Sequence, residues 1–163
     1  MRKYLLILYI LLLTLTLGAT PAQVSITLTT QVPGYLLHGF LAAPATPTFE
    51  TNPSVNDAFN PAGVVLNYGI KTNSGLPVIV KATISPFEEI DGVTLDQIPI
   101  QQVKVNGTSV TKTAGKYNLL TLDPASGIIF YAYTLTVFVD QSLLVSAPSG
   151  NYQSTVSIDM ELP

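Results

Sequence analysis

The chain has 163 residues, no cysteine, no tryptophan and a formal net charge of −3. One ordinary domain of about 100–200 residues fits that length, and without cysteine a disulfide scaffold is excluded, so packing and backbone pairing must hold the fold. Seven basic residues against ten acidic ones leave almost nothing from which a nucleic-acid or anionic-membrane surface is built.

The amino terminus reads as a signal peptide over residues 1–22. Arg2 and Lys3 form a positive start, Tyr4 to Leu17 an apolar run, and Gly18 to Ala22 a stretch of small residues suited to cleavage after Ala19 or Ala22. The run is short for about 30 Å of hydrocarbon and no stop-transfer segment follows, so an uncleaved anchor is the lesser alternative. The expectation is export. Cleavage leaves one domain of about 141 residues with five lysines, no arginine and ten acidic residues, a net charge of −5.

The mature chain begins with an alternating segment, residues 23–32. Period two puts Val24, Ile26, Leu28 and Val32 on one face, with Thr30 a smaller member of the same face. Its counterpart closes the chain: across Gly150 to Leu162, Tyr152, Val156, Ile158 and Met160 share a face. Two amphipathic strands at the two ends suggest a subunit that lends a strand to its neighbour. The plainer alternative is that residues 23–32 are the first strand of a complete sandwich, paired within their own chain.

Between the ends, strand signals follow one another. Pro33-Gly34 breaks the chain, Tyr35 to Ala42 is extended, and Ala43 to Pro61 carries no apolar period and reads as a surface loop. Val64 to Lys71, a turn at Thr72 to Gly75, and Val78 to Ile84 read as a hairpin. Val78, Val80, Ala82 and Ile84 form the buried face and Lys81 and Thr83 the wet one, and Ser85-Pro86 stops the strand. Ile98 to Val105 enters Asn106-Gly107, the strongest two-residue hairpin signal, and Thr108 to Thr113 returns. Ile128 to Val139 is apolar on both faces, Phe130, Ala132 and Phe138 on one and Ile129, Tyr131, Tyr133, Leu135, Val137 and Val139 on the other, which predicts a central strand. About eight short strands with turns between them predict an all-β, immunoglobulin-like β-sandwich.

Catalytic chemistry is sparse. The only histidine, His38, sits among aromatic and apolar residues, where a structural role is the commoner one. There is no Gly-x-Ser-x-Gly elbow, no cysteine nucleophile and no histidine pair at metal spacing. Glu88, Glu89, Asp91 and Asp96 lack the alternating oxygen ligands of a calcium loop and read as a solvated turn. Asp159 and Glu161 fall on the polar face of the last strand. Asn106-Gly107-Thr108 matches a glycosylation acceptor, but its turn role accounts for it. The expectation is a protein that is not an enzyme, with no catalytic residues, cofactor or metal.

With these segments in place, the chain resembles the major pilins of the alpha-fimbrial, or class 5, alternate chaperone–usher pathway, which includes colonisation-factor antigens. Ser25 to Pro33 is similar to that family's amino-terminal Ile-Thr-Val-Thr-Ala-x-Val-Asp-Pro segment, without the aspartate before proline. Lys71-Thr72-Asn73 followed by Pro77-Val78-Ile79-Val80-Lys81 resembles its central turn and Val-Ile-Val-Lys strand. Ile98-Pro99-Ile100 resembles its Met-Pro-Ile segment, and Ala147 to Met160 its Ala-Gly-Asn-Tyr-x-Gly-Val-Val-Ser-Leu-x-Met terminus. The stretches Tyr35 to Pro61 and Asn106 to Tyr131 depart from the pattern.

The resemblance implies a sandwich, residues 33–163, that lacks one strand of its own and receives it from a neighbouring subunit, the donor being residues 23–32 with Val24, Ile26, Leu28, Thr30 and Val32 inserted. It implies a structural major subunit of a surface fimbria that polymerises head-to-tail and supports cell adhesion. The implied partners are identical subunits, a periplasmic chaperone and an outer-membrane usher, with a tip adhesin as a further candidate, and the implied route is through the periplasm to the cell surface. Two other readings stand beside it. One is a self-contained secreted sandwich that binds a ligand, with Tyr131, Tyr133 and Tyr152 as candidate sugar-stacking groups. The other is a strand-exchanging fibre subunit that uses no chaperone or usher.

Overall fold

The computed structural model describes residues 34–50, 57–90 and 97–162. The expected signal peptide and the expected donor residues Val24, Ile26, Leu28, Thr30 and Val32 lie outside them. In chain order the described elements are β1 (Leu36–Leu41), β2 (Phe49–Glu50), β3 (Val64–Thr72), β4 (Val78–Ile84), β5 (Phe87–Glu89), β6 (Gln97–Ile98) and β7 (Ile100–Val105). They continue with β8 (Thr108–Ser109), β9 (Lys112–Thr113), β10 (Lys116–Leu122), β11 (Ile129–Val139), the single-turn helix α1 (Gln141–Leu144), β12 (Tyr152–Gln153) and β13 (Val156–Glu161).

Alternation of apolar and polar residues decides which face of each strand is buried. On β3, Val64, Leu66, Tyr68, Ile70 and Thr72 are buried; on β4, Val78, Val80, Ala82 and Ile84; on β11, Tyr133, Leu135, Val137 and Val139. Two antiparallel sheets bring these rows together, one ordered β2-β1-β3-β11-β7-β8 and the other β13-β4-β10-β9. Their facing side chains make one core, completed by Val103 and Val105 from β7 and Tyr117, Leu119 and Leu122 from β10. A small sheet, β12-β5-β6, lies beside them. The fold is an all-β sandwich.

β11 is central, hydrogen-bonded to β3 on one side and β7 on the other. Its second apolar face is also used: Phe130 meets Phe49 edge-on, with ring centroids 6.3 Å apart, and Leu41 joins them over Gly69. A Cβ at Gly69 would lie 2.8 Å from Leu41 Cδ2 and 2.9 Å from Phe130 Cε2. Only hydrogen fits there, which is how Leu41 comes to be 2% exposed on the outside of the sheet. At the β7–β8 turn, Asn106 (φ 47°) and Gly107 (φ 82°) both take positive φ, as the two-residue hairpin requires. Asn106 Oδ1 accepts from the Thr134 amide at 2.9 Å and so ties the turn to β11.

Two expectations are corrected. Val64–Thr72 and Val78–Ile84 do not form a hairpin: β3 pairs with β1 and β11, β4 with β10 and β13, and residues 73–77 cross from one sheet to the other. Both strands are apolar on their inner faces, and placing them in opposite sheets lets those faces cover each other, whereas a hairpin would set them side by side. The closing segment, expected as one strand, is two. Tyr152 and Gln153 pair with β5, while Val156–Glu161 pairs with β4. Ser154-Thr155 makes the switch, with Ser154 Oγ donating to the Ser85 carbonyl at 2.7 Å and Ser85 Oγ accepting from the Thr155 amide at 2.9 Å.

The sheet order β1-β3-β11-β7 matches the A-B-E-D sheet of an immunoglobulin-like sandwich, and β4-β13 matches C-F of its partner. The position beyond F, where a G strand belongs, is the outer edge of β13. Among the described residues no strand occupies it.

Candidate functional site: the open edge of the last strand

β13 pairs with β4 in continuous register, Val156 opposite Ile84, Ile158 opposite Ala82 and Met160 opposite Val80. The three β4 residues are buried, whereas Val156, Ile158 and Met160 are only half-buried although they point to the same core. The difference is positional. Among the described residues β4 has a strand on each side, and β13 has one on a single side.

Across the sandwich lies β1, near the edge of the other sheet. Leu36, His38 and Phe40 are in register with Thr72, Ile70 and Tyr68, whose side chains enter the core, so these three share the inner face. β2 covers only the Phe40–Leu41 end of the strand. No ladder joins β1 to β13. Among the described residues the seam between them is therefore open, walled by Leu36 and Phe40 on one side and Val156, Ile158, Met160 and Leu162 on the other.

A cleft of about 190 Å³ opens at each end of this seam. At the end where β1 begins and β13 finishes, called here the exit pole, Leu36, Thr72, Val78 and Leu162 line it. At the opposite end, the cap pole, Val64, Leu66, Ile84, Phe87, Val137 and Val156 line it. Both are mainly apolar. α1 follows the end of β11 at this pole, its amino end capped by Asp140, whose side chain accepts from the Ser142 hydroxyl at 2.6 Å and its amide at 2.9 Å. The Ser142 hydroxyl is the main cause of an Asp140 pKa below the usual carboxylate value.

The inner wall carries little charge. His38 Nδ1 lies 2.6 Å from the Tyr68 hydroxyl, with the rings 6.0 Å apart, so the histidine packs and hydrogen-bonds as a structural residue. Burial pushes the Tyr68 phenol up to about 12 and raises the Tyr133 phenol further, with the neighbouring Tyr68 a second cause. Such a wall accepts an apolar strand and rejects a charged one, because an unpaired charge there loses its hydration without compensation.

The outer face of β13 is the reverse. Lys81 Nζ donates to Glu161 Oε2 at 2.6 Å, and Lys116 Nζ lies 2.9 Å from Asp159 Oδ2 and 3.6 Å from Glu161 Oε1. The Lys81 hydrogen bond lowers the Glu161 pKa, and the Asp159 hydrogen bond raises that of Lys116. Asp159 and Glu161 thus do more than meet solvent: they tie β13 to β4 and β10.

Of the other chemistry-bearing residues, Glu88 and Glu89 lie on β5 against β12, with Glu88 Oε1 accepting from Gln97 at 2.7 Å. Asp91 and Asp96 fall outside the described residues. Among the described residues no three metal-ligating side chains converge. Tyr133 is buried and offers no face for stacking, Tyr152 is half-buried and meets Phe59 edge-on at 5.9 Å, and Tyr131 is half-buried with its hydroxyl 3.5 Å from the Asp123 carbonyl.

The apolar face of the last strand is legible in the sequence, and Leu162 continues its period; the signal for Leu36 and Phe40 is the alternation of Leu36, His38 and Phe40 within Tyr35–Ala42, which does not mark them as a seam wall. Comparison with protein-family models gives no match, and comparison with curated proteins gives no significant one.

Proposed function

We propose that this chain is the structural subunit of a surface fibre, polymerising head-to-tail as residues 23–32 of one copy complete the sandwich of the next along the outer edge of β13. One observation carries the reading: an edge strand whose inner residues Val156, Ile158 and Met160 stay half-buried beside an open apolar seam. The donor supplies what that edge lacks, a row of backbone hydrogen bonds and the alternating Val24, Ile26, Leu28, Thr30 and Val32. Each buried Val, Leu or Ile contributes about 1.5–3 kcal/mol before ordering costs, enough in sum to hold a fibre.

The reading is non-catalytic. It places the protein on the exported route to the cell surface, as the fimbrial shaft, with adhesion as its role. An uncovered apolar seam beside a free strand edge is an aggregation hazard, which is why a periplasmic chaperone to shield it and an outer-membrane usher to assemble it belong to the reading, with a tip adhesin as a further partner.

The test is gel electrophoresis of protein released from cells that express it with its candidate chaperone and usher, run unheated and boiled. A ladder that collapses on boiling and is missing in Ile26→Asp is expected. A single monomer band in both lanes from folded protein would mean that residues 23–32 close their own sandwich, and the function would then lie in ligand binding.

A further inference from the structure

Resting on the strand-exchange reading, we infer that the fibre has a second interface: the exit pole of each subunit packs against the cap pole of the next. The occupant of the exit-pole surface is thus another copy of this chain, and the contact is separate from the strand groove.

Strand direction and linker length lead there. β1 starts at the exit pole and β13 ends there, so β13 runs from cap pole to exit pole. A donor lying parallel to its host's β13 would finish at the host's exit pole. There the host's own residues 23–32 also leave, and two copies would exchange strands and close as a dimer. An antiparallel donor, the arrangement of the rest of both sheets, finishes at the host's cap pole and leaves the host's donor free at the far end. That arrangement leaves a free donor after every addition and so allows open-ended growth.

The donor ends at Val32 and the fold begins at Leu36, four residue steps that span at most about 14 Å. The exit pole of the donating subunit is therefore held against the cap pole of its host. Within that link the Tyr35 amide donates to Asn73 Oδ1 at 2.6 Å and its carbonyl accepts from the Asn73 amide at 3.2 Å, so the free part of the link is shorter still.

The two poles have surfaces to match. Beyond the seam residues Leu36 and Leu162, the exit pole gathers the exposed apolar residues Tyr35, Leu76 and Ile128, and its turns are joined by the Ala125 amide donating to the Ser74 carbonyl at 2.7 Å. The cap pole presents Leu143 and Val145 around α1, Val145 being 89% exposed, the most of any large apolar residue described. Apolar side chains concentrated on opposite ends of one domain fit a heterologous contact between copies.

The experiment compares fibres from the native chain, from the exit-pole variant Leu76→Lys/Ile128→Lys and from the cap-pole variant Val145→Lys. All three sites are exposed loop or turn positions outside the seam. The readouts are the unheated gel ladder and the persistence length of the fibres by electron microscopy. Both variants should keep the heat-sensitive ladder while persistence length falls at least twofold. An unchanged persistence length with the ladder intact overturns the second interface and leaves strand exchange standing. Softening by the exit-pole variant alone overturns the pairing of the two poles. Absence of a ladder from the native chain removes the strand-exchange reading itself, and the inference with it.

Discussion

Lys81 stands opposite Asp159 in the β4–β13 ladder, yet its ammonium donates to Glu161, two residues along, while Lys116 on β10 reaches past β4 to take Asp159. The last strand is held to its sheet by backbone pairing, by its inner apolar row and by this crossed set of ion pairs on the wet face.

The ion pairs make the hold on β13 pH-dependent. Glu161 has a folded pKa below its ordinary 4.5, so its contribution is complete above that value and is lost as pH falls through the lowered one. Lys116 is raised above 10.5, so its contribution is complete below that value and is lost as pH rises through the raised one. Amide protection factors along β13 should be lower at pH 3 than at pH 7, and Glu161→Gln should flatten the difference. The effect is modest, since the groups are solvent-exposed.

Tyr68 sets an alkaline limit. A phenol raised from 10.0 to about 12 by burial stabilises the fold fully below pH 10, and that stability drains away as pH climbs towards 12. Urea midpoints should be level to about pH 10 and fall above it. Tyr133, raised further, and Lys116, which loses its charge, titrate over the same range, and Tyr68→Phe isolates one of them: the variant should lose the Tyr68 share of the slope and keep the rest.

Gly63 is expected to be intolerant of any side chain. Its φ is +84°, and a Cβ would sit 2.8 Å from Thr136 Cγ2 and 3.0 Å from the Val137 carbonyl oxygen. Gly63→Ala should cost about 1–3 kcal/mol by chemical denaturation. Gly75→Ala, where nothing lies within 4 Å and φ is not positive, is the control and should be near neutral.

Leu162 is 60% exposed and lines the exit-pole cleft, so Leu162→Asp should spare the monomer and weaken the joint. Removing one apolar contact of about 1.5–3 kcal/mol corresponds to roughly tenfold or more in the stability of the joint. The gel ladder should collapse at a lower temperature than that of the native chain, while the melting of the isolated subunit stays the same. Equal ladder stability would place the donor away from this end of β13.

The sequence by itself determined which residues of each strand face inward, because alternation is a local property of extended backbone: Val78, Val80, Ala82 and Ile84 are buried as the pattern predicts. It also determined the Asn106-Gly107 turn, through the steric rule on positive φ, and the central place of Ile129–Val139, through apolarity on both faces. What only the tertiary structure decided is which strand lies beside which. Val64–Thr72 followed by Val78–Ile84 has the local look of a hairpin, yet the two inner faces bury more by facing each other from opposite sheets. The Tyr152 face and the Val156 face have one period in sequence, but Ser154-Thr155 bonds to Ser85 and sends them to different sheets. The open edge of β13 belongs to the same class. Alternation marks its residues as inward-facing, while its lack of a second neighbour among the described residues is a fact about strand order, and strand order is set by long-range burial that no local period encodes.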